Sequence, residues 1–209
     1  MDKSLRVLWT IVAQDTPRPL RHCSHCGKVQ PFCSSNRFRL NANGRRIDAW
    51  LIYKCTTCDD TWNRPLLERC PLAGVAPALL EALRQSDPVL AQRVAFDTAG
   101  LRRHCADVEE PSDATVRKDV VSRSAGILHR LEIRLAVPDA TALRLDRLLV
   151  RELGLSRTRL HALCTEGSLV LVPNGPRALR RAARDGTCIT LDLLWEADAA
   201  ALAAAASSG

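Results

Sequence analysis

A helix that crosses a bilayer needs about 20 consecutive apolar residues, and no apolar run in this 209-residue chain approaches that length. A membrane protein is therefore not expected. The N-terminal LRVLWTIVA, with Lys3 and Arg6 beside it, has too short an apolar core for a signal peptide. Leu5, Val7, Trp9 and Ile11 alternate with other residues, which is the period of a strand. Also missing are a phosphate-cradling glycine loop, a nucleophile elbow and an open metal site, so no catalytic machinery is expected. Cys105 beside His104 does not make a thiol nucleophile, because adjacent residues on a helix point apart. The nine cysteines are odd in number and most are scattered, which excludes a secreted disulfide framework and points to a reduced, cytoplasmic compartment.

Apolar residues at 46% and charged residues at 25% are ordinary for a soluble globular protein. The formal net charge of +7 is uneven: residues 1–70 hold 12 Lys/Arg against 6 Asp/Glu, while residues 71–138 hold 9 against 9. A basic excess suits a polyanionic partner. Four thiolates around one zinc ion would lower it by about two charges, so the charge by itself is a weak pointer to nucleic acid.

Composition divides the chain into a strand-rich region to residue 70, a helical linker region over 71–128, a mixed region over 129–196 and an alanine-rich tail over 197–209 that is expected to be disordered. This is an α+β pattern. RFRLNANGRRIDAWLIYKC reads as a hairpin turning at Asn41–Gly44. In its second strand Ile47, Ala49, Leu51 and Tyr53 share one face while Trp50 and Ile52 take the other, so the strand should be central. Asp87-Pro88 has the form of a helix start. The helices here are packing material or a spacer, and the polar CADVEEPSDA reads as a connector before another short helix.

Two C-x-x-C pairs, Cys23/Cys26 and Cys55/Cys58, lie 28 residues apart, the length of a hairpin excursion. Gly27 permits the tight turn that lets backbone N–H groups face the sulfurs. Zinc takes four soft ligands in a tetrahedron, and a closed four-cysteine site is structural because it leaves no position for substrate. Residues 20–65 thus resemble a zinc ribbon, with Trp62 expected to cover the site. His25 is expected to point outward and Cys33 to be a buried thiol. The hairpin cations Arg37, Arg39, Arg45, Arg46 and Lys54 either meet nucleic acid or form a solvated face.

The stretch RLDRLLVRELGLSRTRLHALCTEGSLVL places Leu145, Leu148, Leu149 and Leu153 on one helical stripe ended by Gly154. Ser156 caps a second helix that buries Leu160, Leu163 and Cys164 and ends at Gly167, with LVLV following as a strand into Pro173–Pro176. LEIRLAVP before this pair and TCITLDL after it read as further strands. Arg144, Arg147 and Arg151 lie off the apolar stripe, as do Arg157, Arg159 and His161, and the second helix adds its N-terminal N–H groups. Arg177, Arg180, Arg181 and Arg184 extend the basic surface. A solvated helix pair is the plainer alternative.

RLDRLL, LGLSRTRLHAL, EGSLVL and Gly175 together resemble the S4 RNA-binding domain over residues 131–194, and the lead-in LEIRLAVPDATALRLD looks like that before the S4 domains of some pseudouridine synthases. The turn reads VPNGP and the late glycine is followed by threonine, at Gly186-Thr187, both departures from that family's pattern. The resemblance implies contact with ribosomal, transfer or other structured RNA through Arg144, Arg147, Arg157, Arg159, His161 and Arg177. RHCSHCGKVQPF, DAWLIYKCTTCDDTWN and the S4-like end together resemble a bacterial family known only as a domain of unknown function. The expectation is a non-catalytic RNA-binding protein with a structural Zn2+ at Cys23, Cys26, Cys55 and Cys58, its two modules reinforcing each other through effective concentration. The alternative is a regulator that binds protein or DNA through the zinc ribbon.

Overall fold

A computed structural model describes residues 3–175 and 177–208. Pro176 of the expected turn and Gly209 of the expected tail lie outside the described residues. The chain is α+β and divides into two compact units, Met1–Asp15 with Pro111–Gly209, and Thr16–Glu110. The second is thus an insertion into the first. Among the described residues, no helix is long and apolar enough to cross a membrane.

The inserted unit is a five-stranded antiparallel sheet in the order β5-β4-β3-β2-β6. Its strands are β2 (Arg18–Cys23), β3 (Lys28–Asn43), β4 (Arg46–Cys55), β5 (Thr61–Pro71) and β6 (Asp107–Glu109). The β3–β4 hairpin turns through Gly44, whose φ of +61° suits a residue without a Cβ. β4 is internal, as its two apolar faces require: Ile47, Ala49, Leu51 and Tyr53 are buried, while Trp50 and Ile52 are half-buried on the opposite face.

Helices α1 (Pro77–Gln85), α2 (Pro88–Phe96) and α3 (Thr98–Arg102) supply Leu83, Leu90, Ala91, Ala95 and Leu101 to the core on this sheet. Asp87 caps α2 by accepting from Leu90 N–H at 2.7 Å, with Pro88 at the first helical position. The stretch expected as a linker is therefore half of this unit's core. One side chain locks it. Arg64 on β5, 3% exposed, donates to Val94 O at 2.6 Å and to Asp97 Oδ2 at 2.7 Å, pinning the α2–α3 corner to the sheet.

The enclosing unit is a sheet in the order β7-β1-β8-β10-β9, built from β1 (Ser4–Ala13), β7 (Ala114–Arg123), β8 (Arg130–Ala136), β9 (Leu169–Val172) and β10 (Cys188–Asp192). β1 runs parallel to β8 and antiparallel to β7. Two differences from the sequence reading follow. The N-terminal strand belongs with the C-terminal half and not with the cysteine region. Residues 114–123, expected as a short helix, are β7; Thr115, Val116, Val120 and Val121 are β-branched and suit a strand, and nine residues of β1 are there to pair with it.

One face of this sheet buries Leu5, Val7, Trp9, Ile11, Leu131, Ile133, Leu135, Ile189 and Leu191 beneath α4 (Leu145–Leu153), α5 (Arg157–Glu166) and α6 (Ala199–Ser207). The tail expected to be disordered is α6. Leu202, Ala203 and Ala206 face the core, where alanine allows close approach. The helix end is capped from the sheet: Trp9 Nε1–H donates to Ala206 O and Lys118 Nζ to Ala205 O, each at 2.8 Å. These bonds satisfy carbonyls that a frayed end would leave to water. Lys118 also meets Glu152 of α4 at 2.9 Å.

Candidate functional site

Both C-x-x-C pairs sit at the ends of hairpins. Cys23 ends β2 and Cys55 ends β4, and the pairing of Phe32 with Cys55 across β3 and β4 sets the two turns side by side. In the first turn Gly27 takes φ +68°, and its N–H bonds Cys23 O at 2.9 Å. In the second, Cys55 N–H bonds Asp60 O at 2.8 Å and Asp59 N–H bonds Cys55 O at 3.0 Å. Ser24 Oγ donates to Asp60 Oδ2 at 3.2 Å and ties one turn to the other.

The four sulfurs lie within 4.8 Å of one another, with Cys23 and Cys58 3.5 Å apart and Cys26 and Cys55 3.9 Å apart. A disulfide would need about 2.0 Å. Ligands of a tetrahedral tetrathiolate centre, each about 2.3 Å from the ion, stand about 3.8 Å apart. The residues therefore fit a metal ion, and they can hold one.

The titration of the thiols has the same origin. The Cys58 sulfur, then burial, push Cys26 up to about 12. Burial also opposes the Cys55 thiolate, but the N–H groups of Thr57 and Cys58 outweigh it and bring Cys55 down to about 7. Four thiols this close cannot all ionise unaided, since each thiolate repels the next, and a central cation removes that penalty. His22 and His25 are exposed and stand outside the group. Trp62, expected as its cover, sits in a cluster of tilted rings with Tyr53 and His104, with the Arg21 guanidinium 4.1 Å above its ring. Cys105 donates to Leu101 O at 3.1 Å, and burial raises its thiol.

The second group forms on the helix pair. Gly154 and Gly167 end α4 and α5 in the left-handed conformation, and Ser156 Oγ accepts from Arg159 N–H at 3.1 Å as the cap of α5. Arg144, Arg147, Arg157 and His161 are brought together with Arg180 and Asp146 around a cavity of about 290 Å³. Asp146 is bound to the Arg144 guanidinium and to Arg147 N–H, which orients both residues. Arg180 is one of the residues expected to extend the basic surface. It arrives because the chain before α4 pairs with residues 181–183, with Leu145 N–H to Arg181 O at 2.9 Å and Ala183 N–H to Leu143 O at 2.7 Å.

Arg159 is not in this group. It lies on the opposite flank of α5, paired with Glu196 at 2.6 Å and Glu166 at 3.8 Å. Arg177 lines a separate cavity. Arg151 bonds Glu152 and Ala114 O.

The concentration of cations here is local. Thr16–Glu110 carries 14 Lys/Arg and 10 Asp/Glu, and the rest of the chain 16 and 13, so overall charge does not distinguish the units. The smaller cavity does, with four arginines to one carboxylate.

Residues 40–174 match the family model described as "Protein of unknown function (DUF1062)". That span holds Cys55, Cys58 and the whole helix pair, and it begins after Cys23 and Cys26. No curated protein and no solved structure matches the chain. With more than half of its length covered, the chain belongs to the DUF1062 family.

Proposed function

We propose that this is a non-catalytic RNA-binding protein that engages ribosomal or other structured RNA through an S4-like helix pair, with a structural zinc ribbon as its second module. The observation that carries the reading is the cavity where Arg144, Arg147, Arg157 and Arg180 converge beside His161. Guanidinium forks match phosphate geometry, and the start of α5 contributes its N–H dipoles to the same place. Zinc is the ion of choice for the cysteines, because four thiolates in a tetrahedron suit its size and softness. A closed set of four ligands gives it a folding role.

One observation favours a second reading, a regulator that contacts DNA or protein through the ribbon. The open face of β3 and β4 exposes Arg39 and Lys54 beside the half-buried Trp50 and Ile52. Crosslinking in cells with sequencing of the bound RNA separates the two. Arg147→Ala/Arg157→Ala should abolish enrichment of one RNA site, while Arg159→Ala, already paired with Glu196, should retain most of it. RNA at background, or crosslinking indifferent to Arg147 and Arg157, would refute the first reading and leave the ribbon face.

A further inference from the structure

A second cavity adjoins the arginine-lined one. It measures about 530 Å³, lies between α5 and β9, and shares His161 and Arg180 with its smaller neighbour. Its walls are of another kind: Leu169, Leu171 and Leu179 are apolar, while Asn174 and Arg177 are polar. A volume of this size with a few polar groups set among apolar ones is the make-up of a small-molecule site. The smaller cavity is almost wholly cationic. A semi-apolar compartment that shares one histidine and one arginine of its lining with a guanidinium compartment matches the two halves of a nucleotide, a flat heterocycle with polar edges and a phosphate.

Arg177 adds an independent observation. It takes φ +60° and ψ +26°, the left-handed conformation that costs an arginine free energy and that glycine adopts freely. The side chain held in this conformation lines the larger cavity. Asn174 is held as well, its Oδ1 accepting from Gly175 N–H at 2.7 Å.

We infer that the two cavities together bind one unpaired nucleotide of an RNA strand, the base in the larger and its phosphate in the smaller. Leu169, Leu171 and Leu179 pack against the heterocycle, and Asn174 and Arg177 meet its hydrogen-bonding edge. Paired bases keep that edge in the duplex, so the protein selects loops, bulges or ends. The inference rests on the RNA-binding reading and narrows the class of RNA.

The test is fluorescence anisotropy at fixed low salt with the full chain and two labelled probes, an unstructured oligoribonucleotide and a ribose-phosphate strand of equal length without bases. Wild type should prefer the base-bearing strand by about tenfold, the usual worth of one well-held base. Arg177→Gly should erase that preference without lowering the melting temperature, because glycine relieves the backbone. Asn174→Ala should reduce the preference too, and supplies the readout if Arg177→Gly disturbs folding. Arg147→Ala should weaken both probes equally and keep the preference. Equal binding of the two strands by wild type, with Arg147→Ala still weakening both, would overturn this inference and spare the RNA-binding reading. Failure of both strands to bind would overturn this inference, and crosslinking at background in cells as well would overturn the RNA-binding reading. A free nucleoside monophosphate that competes as strongly as the strand would assign the cavities to a soluble nucleotide instead, and so overturn the RNA form.

Discussion

Removing one metal ligand should unfold the inserted unit and leave the enclosing one standing. Cys55→Ser is the telling substitution, since Cys55 is buried and backbone N–H groups of Thr57 and Cys58 favour its thiolate. Structural zinc sites contribute about 10–16 kcal/mol of apparent binding free energy near neutral pH. Whole domains are stable by only about 5–15 kcal/mol. Loss of the ion therefore removes as much free energy as the unit has in hand. The enclosing unit should survive, because unfolding Thr16–Glu110 leaves a loop between β1 and β7 whose closure penalty grows only with the logarithm of its length. Elemental analysis of the purified protein should find one zinc per chain. Cys23, Cys26, Cys55 and Cys58 should resist alkylation until a chelator is added, while Cys188 reacts at once. Proteolysis of Cys55→Ser should cut between Thr16 and Glu110 and spare α4, α5 and α6. A metal-free protein in which all nine thiols react alike, and in which Cys55→Ser melts as wild type does, would refute the metal centre.

Two further outcomes test the packing of each unit. At Gly100 a Cβ would stand 2.0 Å from Asp97 Oδ2 and 2.2 Å from an Arg64 Nη, so Gly100→Ala must break that ion pair and strand a buried guanidinium. The cost should be about 3 kcal/mol, the low end for a broken buried pair because Asp97 is half exposed, and chemical denaturation with no such loss would exclude the lock. In the enclosing unit, burial raises Glu152, but hydrogen bonds from Lys118 and Arg151 outweigh it and hold the carboxyl below its usual value. A depressed folded value means stability that is full above the ordinary carboxyl range and lost as pH falls through the folded value. Glu152→Gln should therefore destabilise at neutral pH, and its gap from wild type should close in acid; a gap that stays constant with pH would contradict the pairing.

Much of the fold was legible because the signals are local. A capping serine, a glycine in the left-handed conformation and a leucine stripe delimit α4 and α5 within a few residues of one another. The C-x-x-C pairs announce a metal site through spacing, and β4 shows its central place through apolar residues on both faces. What escaped is what depends on distant partners. β7 and α6 have ambiguous or alanine-rich patterns, and distant strands give each a reason to form: nine paired residues of β1 for β7, and the Trp9 indole with Lys118 of β7 for α6. The candidate site divides in the same way. Helical periodicity placed Arg144, Arg147, Arg157 and His161 off the apolar stripe, but it could not say that Glu196 claims Arg159 or that a turn after β9 delivers Arg180. The sequence by itself determined which side chains leave the core and which four sulfurs belong together, because both follow from period and spacing along the chain. The tertiary structure alone decided which cations share a cavity and that one unit is inserted in the other, because those depend on pairings between segments that no local pattern encodes.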